Sequence, residues 1–406
     1  MSNGRIETSL IAAPIDLAAG RGPSWLDAWL LRNSAKVVSW RRQIHAHPEL
    51  AYHEHATTAL VVSQLVAAGL YPKLLPGGTG LVCDIGSGPR CVALRADLDA
   101  LPMHEATGLP FASTMGNVMH ACGHDAHTAI LIGAALALAS APMLPGRVRL
   151  IFQPAEERPG GAQDVVAAEG LTGVDRIFAL HCDPRLRVGR IGTRVGAITS
   201  ATDMLELQLS SPGGHTSRPH LTSDLVHALG TVITGLPALL SRRVDPRSAT
   251  VLVWGAVKAG QAHNAMPREG LLRGTLRTGD RDIWASLEPL ARELVTALLA
   301  PTGVGFDLKH IRGVPPVVND PLSTRLLRDG AVGALGEDAL VTTEQSSGGE
   351  DFGWYLEHVP GSLARIGVWP GDCPQRDLHQ STFDLDERAL PLGVRVMVHA
   401  ALAALA

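Results

Sequence analysis

At 406 residues the chain is too long for one ordinary compact core, and its size favours two units. With 46% apolar and 18% charged residues it is not a disordered chain, and a formal net charge of −4 without Lys/Arg clusters argues against a nucleic-acid partner. Five cysteines, an odd and sparse set, argue against a disulfide framework and for reduced thiols.

The first residues lack a signal-peptide pattern, since Glu7 precedes the apolar run and Pro14 and Asp16 interrupt it; the expected location is cytoplasmic. Apolar residues recur at helical spacing over 25–45 and 55–68, with Gly69 placed to cap the second segment. Short apolar runs at 81–85, 91–96, 148–152 and 176–180 predict strands, with helical stretches between the last three. The longest apolar stretch, 129–144, falls short of a membrane span and contains Pro142, so a buried core helix is expected and no membrane partner. This alternation predicts an α/β domain with a mixed, largely parallel sheet flanked by helices. Functional residues in such sheets gather past the carboxyl ends of the strands.

After about residue 201 the texture changes. A strand at 205–209, a Gly/His-rich loop, a helix at 224–240, strands at 250–256 and 270–277, a helix at 283–299 and a strand at 306–311 follow. This βαββαβ order is that of a small ferredoxin-like sandwich. From 315 the earlier alternation resumes, with a strand at 363–368 and a closing helix at 390–405. The expected organisation is a discontinuous catalytic domain, 1–200 and 315–406, with an inserted domain at 201–314.

The densest polar signal runs from Met119 to His127, just before the long apolar helix. Three His, one Cys and one Asp within eight positions are costly in a core unless they bind something. Gly123 lets the backbone turn so that Cys122 and His124 face one point, and thiolate with imidazole suits zinc, manganese or cobalt. A helix start capped by Asp125 or Thr128, with exposed histidines, is the plainer alternative. Glu156 and Glu157 follow an apolar strand, where one carboxylate can hold a metal and the other act as a base. A solvated charge pair explains them equally well when they are taken alone. His181 closes a predicted strand, and His379 lies in a loop after another; each alone is more often structural. All these positions lie at or beyond predicted strand ends on one rim, and that convergence favours a common site. No G-x-S-x-G elbow, P-loop or G-x-G-x-x-G follows a strand, so serine-hydrolase and nucleotide-binding chemistries find no support.

Several stretches together resemble the metallopeptidase family that includes aminoacylases and carboxypeptidases. They are 42–49, 94–102, 120–127, 152–157, 213–215, Asn264 with Pro267, 274–277 and 350–352. Within it the chain is similar to the branch of hippurate hydrolases, auxin-conjugate hydrolases and N-acetyldiaminopimelate deacetylases. The resemblance implies two divalent metal ions held by Cys122 as bridging ligand, His124, Glu157, His181 and His379. It implies Glu156 as general base and later acid, and Asp97 as the residue that orients a ligand. Other branches carry His where this chain has Arg95, which removes Arg95 from the ligands. His215 is implied to stabilise the oxyanion across a homodimer formed through the inserted lid, and Asn264 and Arg277 to hold the substrate's carboxylate. The implied reaction is hydrolysis of small N-acyl amino acids by water that two cations make acidic, with manganese or zinc as the expected metal. A dipeptidase or carboxypeptidase using the same site, and a metal-binding homologue with impaired catalysis, are the alternatives.

Overall fold

A computed structural model describes residues 21–406; the N-terminal run broken by Pro14 and Asp16 lies outside the described residues. Its eight-stranded sheet is ordered Lys73–Leu74, Leu81–Gly86, Arg147–Gln153, Cys91–Asp97, Arg176–Arg187, Gly361–Trp369, Ile191–Thr193 and Leu340–Thr342. The four strands from Arg147–Gln153 to Gly361–Trp369 are mutually parallel, so their carboxyl ends share one rim. The expected mixed, largely parallel sheet flanked by helices is the architecture found.

Burial on both faces explains why these runs are apolar without alternation. In Cys91–Asp97 the side chains of Val92, Leu94 and Ala96 enter one core and those of Cys91 and Ala93 the other. The larger core is built with the helices Ser24–Ala46, His124–Ala139, Pro321–Leu335 and Ala389–Leu405. The smaller one includes Ala162 and Val165 of the helix Gly161–Ala167 together with Phe352 and Tyr355.

Two expectations are displaced. The helix expected over 129–144 instead runs from His124 to Ala139, starting on a candidate ligand and ending before Pro142. The strand expected to end at Leu180 continues to Arg187, because Gly361–Trp369 pairs with it as far as Trp369↔Arg187. Its other neighbour stops at Arg95↔Ala179, so His181 is placed beyond that ladder while still inside a strand.

Between Ala201 and Val314 lies a separate antiparallel sheet ordered Val251–Ala259, Glu269–Thr278, Ala201–Ser210 and Gly305–Val314. Leu205, Leu207 and Leu209 alternate onto one face and share a core with residues of Leu225–Arg243 and Arg281–Leu299. Asp224 and Asp280 cap these helices by accepting from His227 N and Ile283 N. Leu225–Arg243 has the length and hydropathy of a membrane span. In the structure, though, Leu225, Ala228, Leu229, Val232, Leu236 and Leu240 of that helix are buried against the sheet.

Gly330 marks a close contact between the helices Pro321–Leu335 and Ala389–Leu405. A methyl group there meets Ala400 N and Cα at 2.7 Å, which are backbone atoms that cannot rotate away. Gly330→Ala gains about 1 kcal/mol of helix propensity, but forcing the helices apart costs roughly 1–3 kcal/mol. A net loss in unfolding free energy is the expected outcome of urea denaturation, and a net gain contradicts the packing described.

Candidate metal centre and active site

The rim of the parallel sheet gathers the site. Gly123 adopts φ +87°, a left-handed turn that closes the approach to His124–Ala139 and sets Cys122 and His124 side by side. Neither Asp125 nor Thr128 caps this helix: Asp125 Oδ2 accepts from Arg41 Nε at 2.7 Å, and Thr128 Oγ1 donates to the Asp97 carbonyl at 2.8 Å. The exposed-helix alternative therefore fails, since His124, Asp125 and His127 are all buried.

Cys122 Sγ lies 3.5 Å from His181 Nε2. Ligand atoms of Cys122, His124 and His181 fall within 4.8 Å of one another, as do those of Cys122, Glu157 and His379, and of His124, Glu156 and Glu157. Cys122 thus belongs to two overlapping clusters. Each buried imidazole is held by its other nitrogen: His124 Nδ1 is 2.9 Å from the Asp99 carbonyl, and His181 Nδ1 is 2.8 Å from the Cys182 carbonyl. These contacts put the proton on Nδ1 and turn the Nε2 lone pairs toward the cluster.

The chemistry of the donors fits a cation. His124 Nε2 is buried and has no hydrogen-bond partner. Burial, then the Arg365 charge, holds His181 well below the usual imidazole range, so it is a neutral donor. Burial also pushes the Cys122 thiol far up, a penalty that a bound cation removes by stabilising the thiolate. His379 Nε2 lies 3.2 Å from Glu157 Oε1 at the cluster's half-exposed edge, with His379 itself at φ +60°.

Glu156 stands beside the cluster, its Oε2 3.9 Å from His124 Nε2 and its Oε1 accepting from Asp351 N at 3.4 Å. Burial, followed by Glu350, Glu157 and Asp351, holds its carboxyl well above the usual range. Asp97 is engaged elsewhere: its carboxylate accepts from His127 Nδ1 at 2.7 Å and Arg95 Nη1 at 2.6 Å, with His124 Nε2 3.8 Å away. His127 Nε2 in turn accepts from Cys182 N at 2.8 Å, which leaves it no lone pair for a metal. The imidazole that Asp97 orients is therefore His127, while the Asp99 carbonyl performs that task for His124.

A cleft of about 590 Å³ opens above the cluster, lined by Cys122, Glu156, Glu157, His181 and His379 and by Arg277 of the second sheet. Arg277 Nη1 donates to Thr202 Oγ1 at 2.9 Å and the Ser347 carbonyl at 2.6 Å. His215 and Asn264 do not line this cleft. His215 is exposed, pairs with Ala265 in a two-residue ladder and has Nδ1 2.8 Å from Ser217 Oγ; the Asn264 carbonyl accepts from Thr216 N nearby.

Residues 93–403 match Peptidase family M20/M25/M40. The chain belongs to this family. An N-acetyl-L-cysteine deacetylase of Bacillus subtilis (strain 168) is 36% identical over 359 residues, 87% of this chain and 85% of that protein. The crystal structure of the B. subtilis YxeP protein, described as a dinuclear metal-binding peptidase of family M20, superposes with a TM-score of 0.81 at 33% identity. It covers 92% of this chain and 98% of that one. A Rhodococcus jostii (strain RHA1) protein bearing the name of a glutamate–cysteine ligase is 56% identical over 377 residues. These are 92% of this chain, which spans only 47% of that longer protein. As an M20-family member the chain is a metal-dependent hydrolase of amide bonds.

Sequence patterning left three parts of this M20 site unassigned. Asp99 accepts from Glu156 N at 3.0 Å and Glu157 N at 2.9 Å, and Glu54 Oε1 accepts from Ala155 N at 2.8 Å, where Ala155 sits at φ +53°. These carboxylates fix the turn that presents the Glu pair. Behind the metal helix, His45 lies 2.8 Å from Asp125 and 3.2 Å from Glu105. Arg365, a lone cation inside an apolar strand, lines the cleft. Only Arg365 had a local signal, a charge interrupting the run at 363–368.

Two outcomes follow. Asp99→Ala strips the Glu156 and Glu157 amides of a charged acceptor worth about 1.5–3 kcal/mol per bond. Unfolding of the metal-free protein in urea is expected to show a loss of several kcal/mol, and a change below about 0.5 kcal/mol contradicts the arrangement. Burial opposes charge on His45, but hydrogen bonds to Asp125 and Glu105 prevail and raise its pKa to about 9. Stability from a raised group is complete below the unfolded value of about 6.5 and is lost as pH climbs through about 9, on the order of 3 kcal/mol. His45→Gln is expected to flatten the fall in stability between pH 7 and 10; an unchanged slope refutes this assignment.

Proposed function

We propose that the chain hydrolyses the amide bond of N-acyl amino acids at the cleft above Cys122. The observation that carries this is the meeting of one thiol, three imidazoles and the Glu156–Glu157 pair at one rim, with the buried His124 Nε2 left unpartnered. In this proposal Cys122, His124, Glu157, His181 and His379 would hold two divalent cations. Thiolate with imidazole suits zinc, and manganese and cobalt are compatible with the same donors. When bound, the cations supply acidity to a water and positive charge to the carbonyl oxygen.

The remaining work falls to the chain's own groups. Glu156, whose Oε2 lies 3.9 Å from His124 Nε2, would in its carboxylate form take a proton from the attacking water and return it to the departing amine. Arg277 offers a fork to the substrate's α-carboxylate from the cleft's upper wall. Asn264 and His215 are exposed on the second unit, away from the cleft of the single chain, so their proposed parts in carboxylate and oxyanion binding call for a second copy in a homodimer. Five free cysteines agree with a reducing, cytoplasmic setting. N-acetyl amino acids are the favoured substrates, in keeping with the Bacillus deacetylase relative.

Glu156→Gln is expected to keep two metal ions per chain by elemental analysis while kcat on an N-acetyl amino acid drops by about 10²–10⁴-fold. Cys122→Ala is expected to lose metal first. Full turnover in the Glu156 variant, or undiminished metal in the Cys122 variant, overturns the assigned roles.

A further inference from the structure

Arg365 occupies the middle of Gly361–Trp369, opposite His181 in the parallel ladder, and is only 7% exposed. It lines the cleft with Cys122, His181 and His379. Among the described residues its guanidinium makes no hydrogen bond and no ion pair. An arginine remains charged at any ordinary pH, and a largely buried guanidinium whose donors meet only the open cleft is placed to receive an anionic acceptor there.

The nearby carboxylates are engaged by other cations. Asp183 accepts from Arg185 Nε at 3.0 Å and Nη2 at 2.8 Å, and Glu350 lies 3.1 Å from Arg95 Nη2. Arg95 also meets Asp97 at 2.6 Å and Asp351 at 2.8 Å, so these carboxylates make their closest contacts elsewhere and none reaches the Arg365 guanidinium. The guanidinium that remains points at the space a substrate fills. Arg277, which lines the same cleft from the second sheet, is the group proposed above for the α-carboxylate, so a second anionic group on the substrate would give Arg365 a partner of its own.

We infer that Arg365 binds a second anionic group of the substrate, so that the preferred amides are dicarboxylates. The extra carboxylate lies either on the amino-acid side chain or at the far end of the acyl group. This inference rests on the amide-hydrolase proposal and narrows its substrate class. Arg365 then acts as a specificity residue: a neutral isostere leaves its charge buried and unpaired, which penalises the wrong substrate more than it rewards the right one.

The test pairs each acid with its carboxamide: N-acetyl-L-glutamate with N-acetyl-L-glutamine, and N-succinyl-L-alanine with N-succinamoyl-L-alanine. Affinities are measured by calorimetry on metal-loaded Glu156→Gln protein, alone and combined with Arg365→Gln or Arg365→Lys. In at least one pair the acid is expected to bind tenfold or more tightly than its amide. Arg365→Gln abolishes that preference with little effect on the amide, and Arg365→Lys, which keeps the charge, retains part of it. The responsive pair identifies the side of the scissile bond that carries the anion. Equal affinity within both pairs, or a preference that survives Arg365→Gln, overturns the inference. Failure of the amide-hydrolase proposal is separate: the wild-type protein then cleaves none of the four compounds although the binding preference stands.

Discussion

Everything at the sheet's rim answers to one electrostatic constraint, the burial of a thiol, several imidazoles and many carboxylates within a few ångströms of each other. Dry surroundings drive the Cys122 thiol and the Glu156 carboxyl toward their neutral forms, and His181 toward its free base. The chain balances part of this charge internally, with Arg95 set against Asp97, Glu350 and Asp351, and Arg41 against Asp125. The balance stops at the Cys122 cluster, where thiol, imidazole and carboxylate ligand atoms crowd within 4.8 Å of one another. Divalent cations resolve that conflict, and the fold reads as a frame built to keep the donors in place until they bind.

The frame is layered. Parallel strands buried on both faces leave their carboxyl ends as the one place where polar side chains emerge together, a general property of such sheets. Behind them stands a second tier of fixed acceptors. The Asp99 carbonyl and carboxylate hold His124 and the Glu156–Glu157 turn, Asp97 holds His127, and Asp125 ties the metal helix to Arg41 and His45. Preorganised donors bind with less ordering cost, which is how a rim made of loops acts as a rigid site.

What the sequence disclosed follows from how local each signal is. The apolar strand runs, the Cys-Gly-His turn and the adjacent glutamates are contiguous in the chain, so their chemistry is readable from composition and spacing. Asp99 resembled any loop aspartate because its acceptors' partners, the amides of Glu156 and Glu157, are more than fifty positions away. The extension of the His181 strand to Arg187 was hidden for a similar reason, since it depends on the partner strand at Gly361–Trp369. His215 and Asn264, singled out by resemblance, stand at a separate two-residue ladder and the turn before it, away from the cleft, and no local pattern tells which surface faces them.

Anomalous diffraction from crystals of the metal-loaded protein tests the central claim most directly. The account predicts two peaks in the cleft, both within bonding distance of Cys122 Sγ, one adjoining His181 or His124 and the other Glu157 or His379. A single peak away from Cys122, or metal bound elsewhere while the cluster keeps its present contacts, contradicts it.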